Sequence, residues 1–261
     1  MRGGTVPAIH AGMKQLRLLL ALLPFLLHLG PAMATMRLPS GTVAPAVTAW
    51  NAVGRVNRPE GGWCTGVLIA PDRVLTAAHC LWDTRYDRWL APPRLHFVAG
   101  YRRGANAGHA AARRIELPQN LVVDGKGRID SPAHDWAILE LARPIAGRDV
   151  APLPLAGPLV RASLGTGTPL ARIGYDRNRP HLPELAQNCA PLLITGTKEL
   201  VMVHDCAGSA TDAGSPILTR DGERWVVLGV HSHMATWHGR KVGLAALLER
   251  AVPAAVLKGE P

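Results

Sequence analysis

The stretch "VLTAAHC", Val74 to Cys80, places a histidine directly after a run of β-forming residues and directly before a cysteine. Histidine is the usual base for activating a hydroxyl nucleophile near neutral pH, and such a base must be held rigidly. A disulfide at Cys80 would supply that rigidity, and Cys64 lies upstream across a Pro-Asp turn, where it can face Cys80 from an adjacent strand. Because any histidine can follow a strand by chance, His79 needs partners elsewhere in the chain.

Two later stretches supply candidate partners. "DWAILEL", residues 135–141, sets an aspartate before an apolar strand, and "TDAGSPIL", residues 211–218, is a short loop running into another strand. His79 precedes Asp135 by 56 residues, and Asp135 precedes Ala213 by 78 residues.

The three stretches, in this order and at these spacings, resemble the histidine, aspartate and nucleophile motifs of the chymotrypsin-like, or trypsin-like, serine proteases. The resemblance covers roughly Trp50 to Val252 and is closer to the bacterial secreted members. It implies that His79 is the general base, that Asp135 orients its ring, and that Ser232 in "GVHSH" supports the aspartate.

The resemblance also identifies Ala213 as the residue at the nucleophile position, because Asp212, Gly214 and Pro216 fix the register of the loop. Alanine offers no nucleophile, so the chain is predicted to be catalytically impaired. The oxyanion hole would use the backbone N–H groups of Thr211 and Ala213, and a β-branched residue at 211 is disfavoured if φ must be unusual there. A natural loss of activity, an engineered or variant copy of an active protease, and an unorthodox activity all remain open.

The specificity pocket implied by the resemblance contains Ala207, His231 and Ser232. Ala207 stands where a preference for Lys or Arg would require an aspartate, so the sequence does not support that preference. His231 matches the pocket histidine of glutamate-specific bacterial relatives, although a half-buried strand histidine is an equal explanation.

Four cysteines allow three disulfide pairings, and none of the spacings is typical of a zinc site. We expect the pairs Cys64–Cys80 and Cys189–Cys206, the second closing the hairpin before the nucleophile loop. No metal or other cofactor is expected. His231, His233 and His238 lack the cysteine or carboxylate partner that a metal site would need.

The N-terminus has the pattern of a signal peptide over residues 1–34, with basic residues, a short apolar run from Leu18 to Gly30, and a small-residue cleavage site at Ala34. The start could be Met1 or Met13. Export to the periplasm or the medium fits the even number of cysteines. In animal members of the family that the chain resembles, cleavage at an "IVGG"-like site creates a new N-terminal amine, which pairs with the aspartate beside the nucleophile. No such site precedes Cys64. Zymogen activation is therefore not expected, and Asp212 is predicted to lack that amine.

Short apolar runs separated by Gly, Pro and Asp predict an all-β fold, and the resemblance makes it two six-stranded antiparallel β-barrels with a short C-terminal helix. The chain is expected to consist of a signal peptide (1–34), an N-terminal segment (35–48), a peptidase domain (49–252) and a tail (253–261). Within the peptidase domain, the barrels are expected at about 49–145 and 155–242 and the helix at about 243–252.

The formal net charge is +10, and the basic residues are scattered rather than clustered with aromatic residues. Nucleic-acid binding is therefore disfavoured, and no later segment is apolar enough to span a membrane. The expected protein is an exported, monomeric protease homologue that binds an extended peptide or protein segment between its barrels. The alternative is a secreted serine endopeptidase using His79, Asp135 and a serine at position 213.

Overall fold

The computed structural model of the chain describes residues 41–42, 48–124, 126–196, 200–209 and 211–248. The predicted signal peptide, the start of the N-terminal segment and the predicted tail lie outside the described residues. Within the described part of the chain, no helix is both long enough and apolar enough to cross a bilayer.

The described residues fold mostly into antiparallel strands. In chain order these are β1 (Gly41–Thr42), β2 (Val53–Asn57), β3 (Trp63–Ala70), β4 (Arg73–Thr76), β5 (Trp82–Asp83), β6 (Arg88–Trp89), β7 (His96–Ala99), β8 (Gly108–Glu116), β9 (Ala137–Leu141), β10 (Leu170–Gly174), β11 (Glu184–Cys189), β12 (Pro191–Thr195), β13 (Leu200–His204), β14 (Pro216–Asp221), β15 (Arg224–Trp237) and β16 (Arg240–Leu247).

Six strands from the first half of the chain close into a barrel in the order β2-β3-β4-β9-β8-β7. Every pairing in it is antiparallel. Its interior is filled by fully buried apolar side chains, among them Leu68, Leu75, Phe97 and Ile138. Burial of this size stabilises each side chain by about 1.5–3 kcal/mol relative to exposure, which explains why the apolar runs decide the strand positions.

The second half of the chain forms a single sheet of eight strands, in the order β1-β11-β10-β14-β15-β16-β13-β12. The prediction of a second closed six-stranded barrel is therefore not confirmed. Among the described residues the two edge strands, β1 and β12, do not pair with each other, so the sheet is a half-barrel. A separate apolar core that includes Met202, Ile217, Leu228 and Ala245 packs on it.

The prediction of a helix from about residue 243 is wrong for the residues that the structure describes. Gly243 to Leu247 belong to β16, which pairs with β13 on one side and β15 on the other. A strand buried on both faces carries a continuous apolar run, which periodicity cannot distinguish from a helical face. The remaining predicted helical residues, 249–252, lie outside the described part.

Two disulfides are present, and they join Cys64 to Cys80 and Cys189 to Cys206, the pairs expected from the sequence. The first fastens β3 to the turn that follows β4, and the second links the end of β11 to the loop after β13. Disulfides are typical of proteins outside the cytoplasm, so they support an extracytoplasmic location.

Candidate active site

His79 and Asp135 meet because the strands next to them are neighbours in the barrel. His79 lies in a 3₁₀ turn directly after β4, Asp135 lies directly before β9, and Thr76 of β4 pairs with Ala137 of β9. The His79 ring Nδ1 is 2.7 Å from Asp135 Oδ2, and the His79 backbone N–H donates to Asp135 Oδ1 at 2.9 Å. One carboxylate thus fixes both the ring and the backbone of the histidine.

Ser232 completes the surroundings of Asp135 from the second sheet. Its hydroxyl donates to Asp135 Oδ2, and the His233 ring Nδ1 lies 2.8 Å from the same hydroxyl oxygen. Burial alone would raise the pKa of the Asp135 carboxyl, but the His79 charge and the hydrogen bonds from His79 and Ser232 hold it below its usual range. Asp135 is therefore a carboxylate near neutral pH, as needed to orient an imidazole and to stabilise its protonated form.

Ala213 sits in a tight turn that is clamped between the two sheets. Its carbonyl accepts from the Thr65 N–H at 2.9 Å, and the next N–H, of Gly214, donates to the His231 carbonyl at 2.8 Å. Gly214 has φ of +83°, and a Cβ there would lie 2.0 Å from the Thr65 carbonyl oxygen, so only glycine fits. Ala213 is 6% exposed and, with His79, lines a cavity of about 120 Å³.

Thr211 uses its backbone N–H inside its own loop. That N–H donates to Ser209 Oγ at 3.0 Å, and the Thr211 hydroxyl is 2.7 Å from the same oxygen. Thr211 is not among the described non-glycine residues with positive φ, so backbone strain is not the difficulty. Instead, one of the two expected oxyanion donors already has an acceptor.

Asp212 has a partner that the sequence analysis missed. The Arg172 guanidinium on β10 contacts Asp212 Oδ2, and its Nε donates to the Ala207 carbonyl at 3.0 Å. Both charged side chains are 3% exposed. Burial raises the pKa of the Asp212 carboxyl, and the adjacent guanidinium limits the rise. Asp212, predicted to lack an N-terminal amine as partner, is paired instead with an internal arginine, and an arginine within the apolar run "LARIG" is the only sequence signal for it.

His231 lies in the interior rather than at a pocket surface. It is 0% exposed, and its Nδ1 is 3.2 Å from Nε2 of His204, which is also 0% exposed. Its Nε2 lies 3.5 Å from Asp212 Oδ1, and neither atom has a hydrogen-bond partner among the described residues. His204, which the sequence analysis did not single out, is held by the pairing of β13 with β16.

The buried histidine pair should make stability depend on pH. Burial lowers the pKa of His204 to about 3 and that of His231 well below its usual range, and the charge of Arg172 adds to both shifts. The unfolded chain binds protons near pH 6.5 where the folded chain does not, so stability is complete above that pH and falls below it. We expect the free energy of unfolding to fall by up to about 1.4 kcal/mol per pH unit for each histidine.

Urea titrations between pH 7.5 and pH 5 measure this loss of stability. The lowered pKa of Asp135 acts only near and below pH 4, outside this window. Burial also lowers the pKa of His233, which adds to the loss, whereas burial raises the pKa of Asp212, which opposes it as the pH falls. His204→Gln should flatten the slope, whereas His109→Gln, at an exposed position, should leave it unchanged. Equal slopes for His204→Gln and the unaltered chain would show that His204 is not held neutral.

Two cavities flank His79, and together they sort the predicted site residues. The larger cavity, of about 460 Å³, is lined by Asp135, Ser232, His233 and Arg128. The smaller cavity, of about 120 Å³, is lined by Thr211 and Ala213. Neither Ala207 nor His231 lines either of them. The two cavities thus connect His79 with Asp135, Ser232, Thr211 and Ala213, whereas the side chains of the other two predicted pocket residues do not open into either cavity.

A cluster of His79, Cys64 and Cys80 has potential ligand atoms within 4.8 Å of one another. Both sulfurs are joined in a disulfide, so neither is the thiolate that binds metals. The three residues therefore lie close enough together for a metal site, but the two cysteines cannot serve as thiolate ligands.

Known proteins share this sequence pattern. A protein-family model described as "Trypsin" matches residues 40–252. "Serine protease 23" of Bos taurus is 32% identical over 96 residues, which are 31% of this chain and 25% of that protein. "Glutamyl endopeptidase" of Bacillus licheniformis is 27% identical over 165 residues, which are 62% of this chain and 47% of that protein.

The chain therefore spans less than half the length of each of these two curated relatives. The family match, by contrast, covers most of the chain and includes all the residues around His79. With the closed barrel and the half-barrel beside it, this match shows that the chain belongs to the trypsin family of chymotrypsin-fold serine proteases.

Proposed function

We propose that this protein is an exported trypsin-family homologue that binds an extended peptide or protein segment between its two sheets without cutting it. The observation that carries the proposal is the methyl group of Ala213 beside an ordered His79–Asp135–Ser232 arrangement. In this reading His79 is a base with no hydroxyl to deprotonate. Loss of a triad nucleophile lowers kcat by about 10⁶ in enzymes of this type, so turnover should be negligible.

The second sheet offers an edge for the bound segment. Residues 233–237 of β15 pair with β16 on one side, and on the other side the pairing with β14 and the turn before it ends at His231. This stretch follows Ser232, and both Ser232 and His233 line the larger cavity. Strand addition at such an edge gives affinity through backbone hydrogen bonds, and a neighbouring cavity selects side chains.

The same arrangement supports the second candidate, a serine endopeptidase whose parent carries serine at position 213. The retained contacts of Asp135 with His79 and Ser232 favour it, because a binding protein has no need of them. We do not extend the glutamyl preference in the relative's name to this chain, since His231 is fully buried against His204.

Peptide binding by the unaltered chain tests the proposal. Incubated with a mixed peptide library, the chain should retain some peptides and release them uncut, as seen by mass spectrometry. Arg128→Trp fills the larger cavity and should weaken retention about tenfold or more. Leu159→Trp, at a position 86% exposed and outside both cavities, is the matched control and should not change it. Retention of no peptide, or retention unaffected by Arg128→Trp, would reject the cleft as a binding site.

A further inference from the structure

We propose that the smaller cavity is a carboxylate site, so that the cleft prefers ligands with an acidic group just beyond the position where a substrate would be cut. This inference rests on the proposed function and names the ligand chemistry on one side of the same cleft. The cavity is lined by Arg58 and Arg177 together with His79, Thr211 and Ala213.

The two guanidinium groups bring like charges to one small space. Burial lowers the pKa of Arg58, Asp83 opposes that shift, and the charge of Arg177 adds to it. Arg58 Nη2 donates to the Trp82 carbonyl at 2.8 Å, while its buried Nε has no partner among the described residues. Among the described residues neither arginine has a carboxylate within ion-pair distance. Asp83 and Glu60 act on Arg58 only from farther away, where both raise its pKa.

Both arginines stand on fixed backbone. Arg58 begins the turn between β2 and β3, where its N–H and carbonyl each bond across the turn at 3.2 Å. Arg177 lies in the loop after β10, and its N–H donates to Thr211 Oγ1 at 3.1 Å. The second contact ties the loop of Arg177 to the loop of Ala213, so a ligand in the cavity would be held at a fixed distance from the candidate site.

The orientation of His79 shows which end of a ligand would enter this cavity. Its Nδ1 faces Asp135, and its Nε2 lies 3.8 Å from Cys80 Sγ, a residue that lines the smaller cavity. In triad chemistry Nε2 returns the proton to the leaving amine, so the leaving-group side of a substrate lies toward the disulfide. The arginines therefore face the first residues after the cut position.

A carboxylate matches these groups. Guanidinium presents its N–H donors in a fork that fits two carboxylate oxygens, and charge-assisted bonds of this kind are roughly twice as strong as neutral ones. The carboxylate can come from an Asp or Glu side chain or from the C-terminus of a peptide that ends at this point.

N-acetyl-aspartate titrated into the ¹⁵N-labelled unaltered chain tests the site without requiring peptide binding. We expect saturable shifts of the Arg58 Nε–H and Thr211 N–H signals, and their loss in Arg58→Gln/Arg177→Gln. Arg143→Gln/Arg148→Gln removes two exposed charges outside both cavities and should preserve the shifts. Their absence at tens of millimolar ligand, or their survival in the first double variant, would overturn the carboxylate site.

Peptides then distinguish the two sources and separate this inference from the proposed function. If the site binds acidic side chains, an Asn→Asp change in a retained peptide with an amidated C-terminus should tighten binding about tenfold. If the site binds C-termini, a truncated peptide with a free C-terminus should bind more tightly than the same peptide with an amidated one, by about the same factor. Both gains should vanish in Arg58→Gln/Arg177→Gln. Binding without either gain refutes the acidic preference alone, whereas no peptide binding together with N-acetyl-aspartate shifts refutes the proposed function alone.

Discussion

Ala213→Ser should turn the protein into a target of a fluorophosphonate probe, while the unaltered chain stays unlabelled. The new hydroxyl would extend from the turn that shares the smaller cavity with His79. His79 is already oriented through Nδ1 by a carboxylate that Ser232 supports, so a base is in place. Labelling requires only the nucleophile and the base, which makes it the most direct readout of this change.

Peptide hydrolysis by Ala213→Ser should rise by about 10³ to 10⁴ rather than by the full 10⁶ that a triad contributes. The shortfall comes from Thr211, whose N–H donates to Ser209 Oγ instead of facing a substrate oxygen. One missing oxyanion donor costs about 10² to 10³ in kcat. Adding Ser209→Ala should release that N–H and recover about that factor, which initial rates on a peptide pool would show.

Two variants serve as controls for this prediction. Ala213→Ser/His79→Ala keeps the hydroxyl but removes the base, so it should be neither labelled nor active. Ser209→Ala alone should stay inactive, because it adds no nucleophile. Labelling of the unaltered chain would refute the proposed inactivity, and an Ala213→Ser/Ser209→Ala variant that folds but is inert would refute the proposal that the missing hydroxyl and the Thr211 N–H are what limit activity.

The sequence predicted the parts of the site that lie at strand ends. His79 and Asp135 follow and precede apolar runs, and the pairing of β4 with β9 brings them together. The hairpin of β14 and β15 also follows its local signal, since Asp221 pairs with Arg224 and Gly222 has φ of +59° in between. Local turn chemistry and motif order suffice for such features.

Other parts of the site depend on contacts between distant strands, which no local pattern encodes. Arg172 meets Asp212 across 40 residues, and His204 meets His231 across 27. Arg172 and His204 are polar residues in otherwise apolar strands, so periodicity treats each of them as an exception. The bond from the Thr211 N–H to Ser209 is local but depends on loop geometry. The continuous apolar run of β16 fits a helix as well as a buried strand, so periodicity alone predicts the wrong element there.

Removing Arg172 should be the most destabilising single change at the site. Arg172→Met leaves Asp212 buried at 3% side-chain exposure without its counter-charge, and the Ala207 carbonyl loses its guanidinium donors. Breaking a buried pair from one side costs about 3–5 kcal/mol, because the remaining charge stays desolvated. Urea unfolding at pH 7 should report this loss, and peptide retention should fall with it, since Asp212 precedes the turn of Ala213.

A double-mutant cycle separates this electrostatic cost from a simple loss of packing. In the unaltered chain the Ser209 N–H donates to Asp212 Oδ2 at 3.3 Å. Asp212→Asn removes the negative charge but keeps an amide oxygen that can still accept this hydrogen bond. In Arg172→Met/Asp212→Asn no charge is left unpaired, so the double variant should be more stable than the sum of the single changes predicts, by about 2 kcal/mol or more. Additive losses would instead mean that Arg172 acts through its side-chain volume, and the ion pair would then not be what holds the Ala213 loop in place.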